Sequence, residues 1–474
     1  MIAAYAFPSC ATGVLIALTA TAGCSRSELE QFDTMPAPLP TVATNLPMCR
    51  PVDETLVREA QPPVPCTDPP PVSTSVQQVA DLGSSLTFAS DQCRKSVVGW
   101  VDSANVHLAW SVDGSQSFGE PLAVGPGIFP FVIMDGMGAA HAFFAHDLTL
   151  AHVVMQSPGV APVSELLTQA GKPAIAGTEP IVHRTAAARG TDEIAWTWET
   201  FSEPMAVWFA STRVSGSFSE PIQISGAPGS DPIPRLCLAG RDRVVIVWRT
   251  PAWTPGAEEQ VLSAISEDGG ASFCVAPLGH EPRRSNIATS SVDVACAPDG
   301  RAIAVWDGNG GIRVAALSRA GVWSRGDAIS GDASYPFVSG YPHVWIADNR
   351  ALVTWIGWGQ PFGYALVDLS GALAGPPVGA PDLNLDGKPD QFLHACARDD
   401  GFVLLTQGHF SEIPVQPNGP AVMTFLDVDG TLAPSEVIAP LKTTGVNVAL
   451  ECQPTGAVAL WQDAGTTTLA HWAK

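Results

Sequence analysis

The sequence predicts an all-β chain: a β-propeller of four-stranded blades, eight in number, with seven as the alternative if the Phe144 unit or an end unit is irregular. Three observations carry that prediction. An apolar run ending in an aromatic residue recurs at Trp100, Phe144, Trp196, Trp248, Trp306, Trp355 and Trp461, with Thr406 in the same place. That period of about 50 residues marks a repeat architecture. Each period holds four short β-like runs separated by turn residues. Finally, 44 glycines and 42 prolines against only 15% charged residues suit many short strands, and no helical stripe interrupts the period-two patterns.

Residues 1–23 read as an export signal, because GVLIALTATAG (13–23) is apolar, ends in small residues and is too short to span a bilayer. The following TAGC resembles the lipobox of bacterial lipoproteins. That resemblance implies lipidation of Cys24 and an exported chain held at the cell envelope, as an outer-membrane lipoprotein. Residues 24–72 form a tether, since PAPLPTVATNLPMCRPV and EAQPPVPCTDPPPV carry too much proline for regular structure. Within it, Cys49 and Cys66 are expected to close a small disulfide loop in an oxidising compartment.

Residues 73–474 form the propeller. In 291–330, SVDVACA is strand A, AIAVW strand B, IRVAALS strand C and DAIS strand D. The last unit stops after its strand C, so STSVQQVAD (73–81) is expected to supply the missing strand D and staple the first blade to the last. The recurrent tryptophans then belong between blades. Cys93, Cys237, Cys296, Cys396 and Cys452 recur in strand A and are expected as small buried fillers. Bridges from Cys237 to Cys296, and from Cys396 or Cys93 to Cys452, are the alternative.

Between strands C and D stand SEDGGASF (266–273) and SVDGSQSF (111–118), with a degraded STRVSGSF (211–218). These resemble the Asp box of the bacterial neuraminidase repeat family, and the resemblance implies sialidase-like blades over most of 86–474. Asp113 and Asp268 are expected to cap a hairpin turn rather than to catalyse. A sialidase of that family needs an arginine cluster opened by Arg-Ile-Pro, a tyrosine nucleophile with a glutamate partner, and an acid/base aspartate. Here the nearest triplet, in DPIPR (231–235), is reversed. No motif pairs Tyr335, Tyr341 or Tyr364 with a glutamate. No catalytic residue is carried over by the resemblance.

Candidate ligand residues concentrate on the face of the B–C and D–A loops, because loops on a rigid scaffold carry function. Trp198, Glu199, Trp253, Trp358 and Phe362 would offer flat rings beside carboxylates, as a sugar ring requires. Glu179, Asp231 and Arg235 would stand near the axial mouth. DLNLDGKPD (382–390) places Asp382, Asn384, Asp386 and Asp390 at loop positions one, three, five and nine, with the Lys388 carbonyl at seven. That is the oxygen spacing of a Ca²⁺ loop, here expected to hold a structural ion. The formal charge of −22 excludes a nucleic-acid partner. The expectation is a monomeric, non-catalytic binding or scaffold protein for a glycan or protein ligand. The alternative is a divergent glycoside hydrolase or lyase.

Overall fold

The computed structural model describes residues 46–60, 75–79 and 84–473, apart from 92–94, 147–148, 170–171, 174–183, 190–192, 201–205, 213–217, 227–233, 251–257, 283–290, 309–310, 331–340, 357–361, 380–390, 408–418, 442–447, 454–455 and 464–465. It shows eight antiparallel sheets in chain order, one per predicted unit. Their first strands, here strands A, are Ser84–Ser90, Ile128–Met134, Arg184–Arg189, Arg235–Ala239, Val292–Cys296, His343–Ala347, Gln391–Arg398 and Val448–Gln453. These lie side by side from blade 1 to blade 8, and the last returns to the first. They form the inner wall of the ring.

The eighth blade is completed as expected. Ser75–Val79 pairs antiparallel with Thr466–Ala473, with Ser75 opposite His471 and Val79 opposite Thr467. Blade 2 alone gains a short fifth strand among the described residues, Lys172–Pro173.

The marker aromatics are buried between blades. Trp196 and Trp248 are 0% exposed and Trp306 and Trp461 1%. Each core cluster straddles one seam. Trp461 packs with Cys396 and Phe425 of blade 7, and Trp355 with Val305 and Val314 of blade 5. Period-two alternation sends successive side chains of a strand to opposite neighbours, so one blade feeds two seams.

Three disulfides revise the sequence reading. Cys49 bonds Cys274, 225 residues away, and not Cys66. Strand Cys274–Pro282 is the outer strand of blade 4, and the chain at Met48 runs beside it. The Cys49 N–H donates to the Val275 carbonyl at 2.9 Å, and the Val275 N–H to the Pro47 carbonyl at 2.8 Å. Cys237–Cys296 and Cys396–Cys452 are bridges rather than fillers. Neighbouring strands A bring their Cα atoms to 5.6 and 5.5 Å, within disulfide reach.

The stretch 46–60 is therefore no free spacer, and the propeller-bound chain starts before residue 73. Val52 donates to the Ala320 carbonyl at 2.9 Å, and Ala60 to that of Pro298 at 2.8 Å. Arg58 pairs with Asp242 at 2.7 Å. Two glycines at positive φ make room for it: a Cβ on Gly300 (φ +96) would lie 2.5 Å from Val57, and one on Gly240 (φ +55) 2.6 Å from the Arg58 carbonyl.

The seam between blades 4 and 5 also holds a buried charge network. Arg249 reaches Glu259 at 2.6 Å and Asp307 at 2.7 Å. Removing a partner from such a pair strands charge away from water. Arg249→Ala is expected to cost about 3–5 kcal/mol of unfolding free energy, read as a lower midpoint in urea. A loss within the few tenths typical of surface positions would show that the seam does not depend on this pair.

Candidate functional site

The Asp-box residues sit where the sequence put them, and their bonds are internal. The Asp268 carboxylate accepts from Ser266 Oγ at 2.7 Å, the Ser272 N–H at 2.9 Å and Ser272 Oγ at 2.6 Å. Asp113 repeats the pattern with Ser111 and Ser117. Burial opposes ionisation of both, yet the bonds from these serines outweigh it and hold both carboxyls below the usual range. Such acids close a turn.

The predicted loop face divides into two groups. Trp198 lies within strand Glu193–Thr200 and is 0% exposed, and Phe362 opens strand Phe362–Asp368 at 1%. Both are core rings and neither can stack a ligand; the strands run further than the sequence boundaries suggested. Trp253, Trp358, Glu179, Asp231, the Glu199 side chain, the whole 382–390 loop, Cys24 and Cys66 lie outside the described residues. Among the described residues, no three His, Cys, Asp or Glu gather as a metal site, and no helix is long and apolar enough to cross a membrane.

Arg235 begins strand A of blade 4 and reaches across the seam to Asp293 at 3.8 Å. Asp293 also accepts the Val344 N–H at 3.1 Å and faces His343 Nδ1 at 3.4 Å. Asp293 is thus the acid that braces blades 4, 5 and 6, a role not visible in the sequence. Carboxylates converge elsewhere too, but already engaged. Glu259 and Asp307 are held by Arg249, while Glu281 is held by Arg313 at 3.2 Å and by the Trp306 indole N–H at 3.2 Å. Buried and neutralised, these acids act as braces.

A concavity opens on the opposite face, where the A–B turns of blades 5 to 8 meet the arm. Its volume is about 860 Å³. Glu59, Asp299, Asp348, Asp399 and Asp400 bring carboxylates to it, and Arg301 and Arg398 bring guanidinium groups. Each arginine is held by a neighbour in its own turn, Arg301 by Asp299 at 2.7 Å and Arg398 by Asp400 at 3.1 Å. Asp348 sits at φ 49° in a tight turn between Ala347 and Arg350, a conformation that aspartate tolerates better than most residues. A bridge backs the floor at Cys296 and another at Cys452. In the sequence Asp299, Asp348, Asp399 and Asp400 stand in the short turns PDG, ADN and RDDG.

On strand A of blade 8, Glu451 shares the face of Ala449, which packs with Phe88 and Val98 of blade 1. Burial pushes its carboxyl up to about 8, so it is neutral at pH 7. The folded chain then keeps a proton that the unfolded chain releases above about pH 4.3, and stability falls as pH rises from there towards 8. Glu451→Gln, which imitates the neutral form, is expected to abolish that decline and to gain on the order of 2 kcal/mol at pH 7. Parallel pH profiles of parent and variant by urea unfolding would refute the assignment.

No protein-family model matches the chain, and no curated protein matches it in sequence. Solved structures similar to it include a puromycin hydrolase variant complexed with PGG, 15% identical over 80% of this chain with a TM-score of 0.43. This chain covers 58% of that one, less than two thirds of its length. The propeller of Dos1 is 11% identical, covering 85% of this chain and 94% of that one, with a TM-score of 0.49. A six-bladed fucose-recognising lectin from Aleuria aurantia is 15% identical, covering 64% and 99%, with a TM-score of 0.35. β-Propellers are thus among its structural neighbours, and at these identities and TM-scores their ligands remain their own.

Proposed function

We propose that this chain is an exported, lipid-anchored propeller that binds a protein ligand without transforming it, and that the ligand seats a basic segment in the acidic mouth of the A–B face. The observation that carries the reading is the mouth itself: five carboxylates against two guanidinium groups around one concavity of about 860 Å³. The excess of three negative charges, on a chain of formal charge −22, attracts cations and steers their approach. Among the described residues lining it there is no aromatic ring, so the charges favour a lysine- or arginine-bearing polypeptide over a glycan. The apolar leader before TAGC supports export and lipidation of Cys24, and the spacing of 382–390 supports a structural Ca²⁺. The box hairpins support a sialidase-like blade without its chemistry.

The test is binding of the chain, with its arm intact, to arrays of basic peptides and of glycans at two salt concentrations. Basic peptides are expected to bind, more weakly at high salt as screening shortens the field. Asp348→Asn with Asp399→Asn is expected to weaken binding by about tenfold, the loss of roughly 1.4 kcal/mol. Binding untouched by that pair of changes, or confined to neutral glycans, would move the site to the other face.

A further inference from the structure

The geometry assigns blade 2 a buried proton-binding site: a single proton shared between His141 and His152, held by a carboxylate at each end. The four groups form a chain across the sheet. Asp135, in the A–B turn, faces His141 Nε2 at 3.2 Å. His141 Nδ1 faces His152 Nε2 at 3.1 Å, and His152 Nδ1 faces Glu165 Oε1 at 2.9 Å. The imidazole planes are 7° apart and the ring centroids 5.3 Å apart, so with inner nitrogens at 3.1 Å the rings meet edge to edge rather than face to face.

The Asp135 carboxylate already accepts the Met137 and Ala139 N–H groups on its other oxygen, at 2.9 and 2.8 Å. It is held as an acceptor, and His141 Nε2 must donate to it. Glu165 offers His152 Nδ1 only acceptor oxygens while ionised, so that nitrogen donates as well. A neutral imidazole has one N–H. Two neutral rings would therefore present two bare lone pairs to each other at 3.1 Å. One further proton between them turns that repulsion into a charge-assisted bond. The pair carries three protons and one positive charge, between two carboxylates.

The surroundings keep water from doing this work. His141 is 7% and His152 1% exposed. Phe143 lies over the His152 ring at 4.8 Å, and Phe218 of blade 3 stands edge-on to it at 4.8 Å. Beyond the two carboxylates, Lys95 and Asp91 of blade 1 are charged groups beside the Asp135 turn, where they crowd Gly138. Burial, with the charge on His141 adding to it against the pull of Glu165, holds the His152 proton affinity below the usual value. The site accepts one charge and refuses a second.

Two limbs follow for stability. The shared proton is worth most below the pH at which the folded pair releases it, and its contribution is lost as pH rises through that point. The refused second proton works in the opposite sense: below about pH 6.5 the unfolded histidines take up a proton that the folded pair rejects, and stability falls again. The contribution of blade 2 is bell-shaped in pH.

The experiment is nitrogen and proton NMR of the intact chain with labelled histidine rings, titrated across the neutral range. The pair is recognised by its through-space contacts to the Phe143 and Phe218 rings. Protonated outer nitrogens on both rings, with the inner two sharing one proton and titrating together, are the expected result. An outer nitrogen of either ring reading unprotonated at neutral pH, or two rings titrating independently, overturns the assignment. As a second measurement, His141→Gln and His152→Gln are each expected to flatten the bell in a pH series of thermal midpoints. A variant keeping the parent's full bell refutes the site, and should either fail to fold, the spectrum of the parent still decides.

Discussion

Closure of the ring is the constraint on which everything else rests. Eight open sheets would leave sixteen edges if each stood alone, and an exposed edge is an invitation to pair with another chain. Here the outermost place of the eighth blade is filled by Ser75–Val79, a segment that precedes the first blade in sequence. The first and last blades are thereby one covalent and hydrogen-bonded unit. Only with the circle closed do eight strands A share an inner wall, and only then can turns from four successive blades converge on one mouth.

Reinforcement around the ring is uneven. The blade 4–5 seam carries a disulfide on its inner wall, an arginine shared by two acids towards the B–C ends, and Arg243 at the A–B ends. Arg243 is 1% exposed and donates to the Ser318 and Arg319 carbonyls at 3.1 and 2.7 Å. Among the described residues, the blade 2–3 seam shows aromatic packing and two histidines. Tryptophan indoles at several seams, Trp196 and Trp248 among them, bury their N–H groups without an acceptor among the described residues. That cost is tolerable only because each ring removes so much apolar surface from water.

The legible part of the sequence was the periodic part. Apolar runs ending in Trp196, Trp248 or Trp306 report a strand, its position in the repeat and its burial at once, so the blades and the closing strand could be read directly. SEDGGASF was equally local: every bond of Asp268 lies within seven residues. What was not legible depends on separation in sequence. Nothing near Cys49 points to Cys274, because their proximity is made by the whole ring between them. Trp198 looked like a loop residue because the extent of a strand depends on its neighbours. The mouth carboxylates were visible singly in short turns, but their convergence belongs to the ring. His141 and His152 read as ordinary alternation in two strands; their register alone brings the inner nitrogens together.

The placement of Cys274 also decides where mechanical load would travel. Tension applied from the N-terminal side of residue 46 would, without the arm, run straight to Ser75–Val79 and peel that strand from Thr466–Ala473 one hydrogen bond at a time, the easiest way to open a sheet. The Cys49–Cys274 bond intercepts the force first and delivers it to blade 4, beside the seam that carries the Arg249 network and the Cys237–Cys296 bridge. The latch that closes the circle is shielded from pulling by a covalent link placed upstream of it.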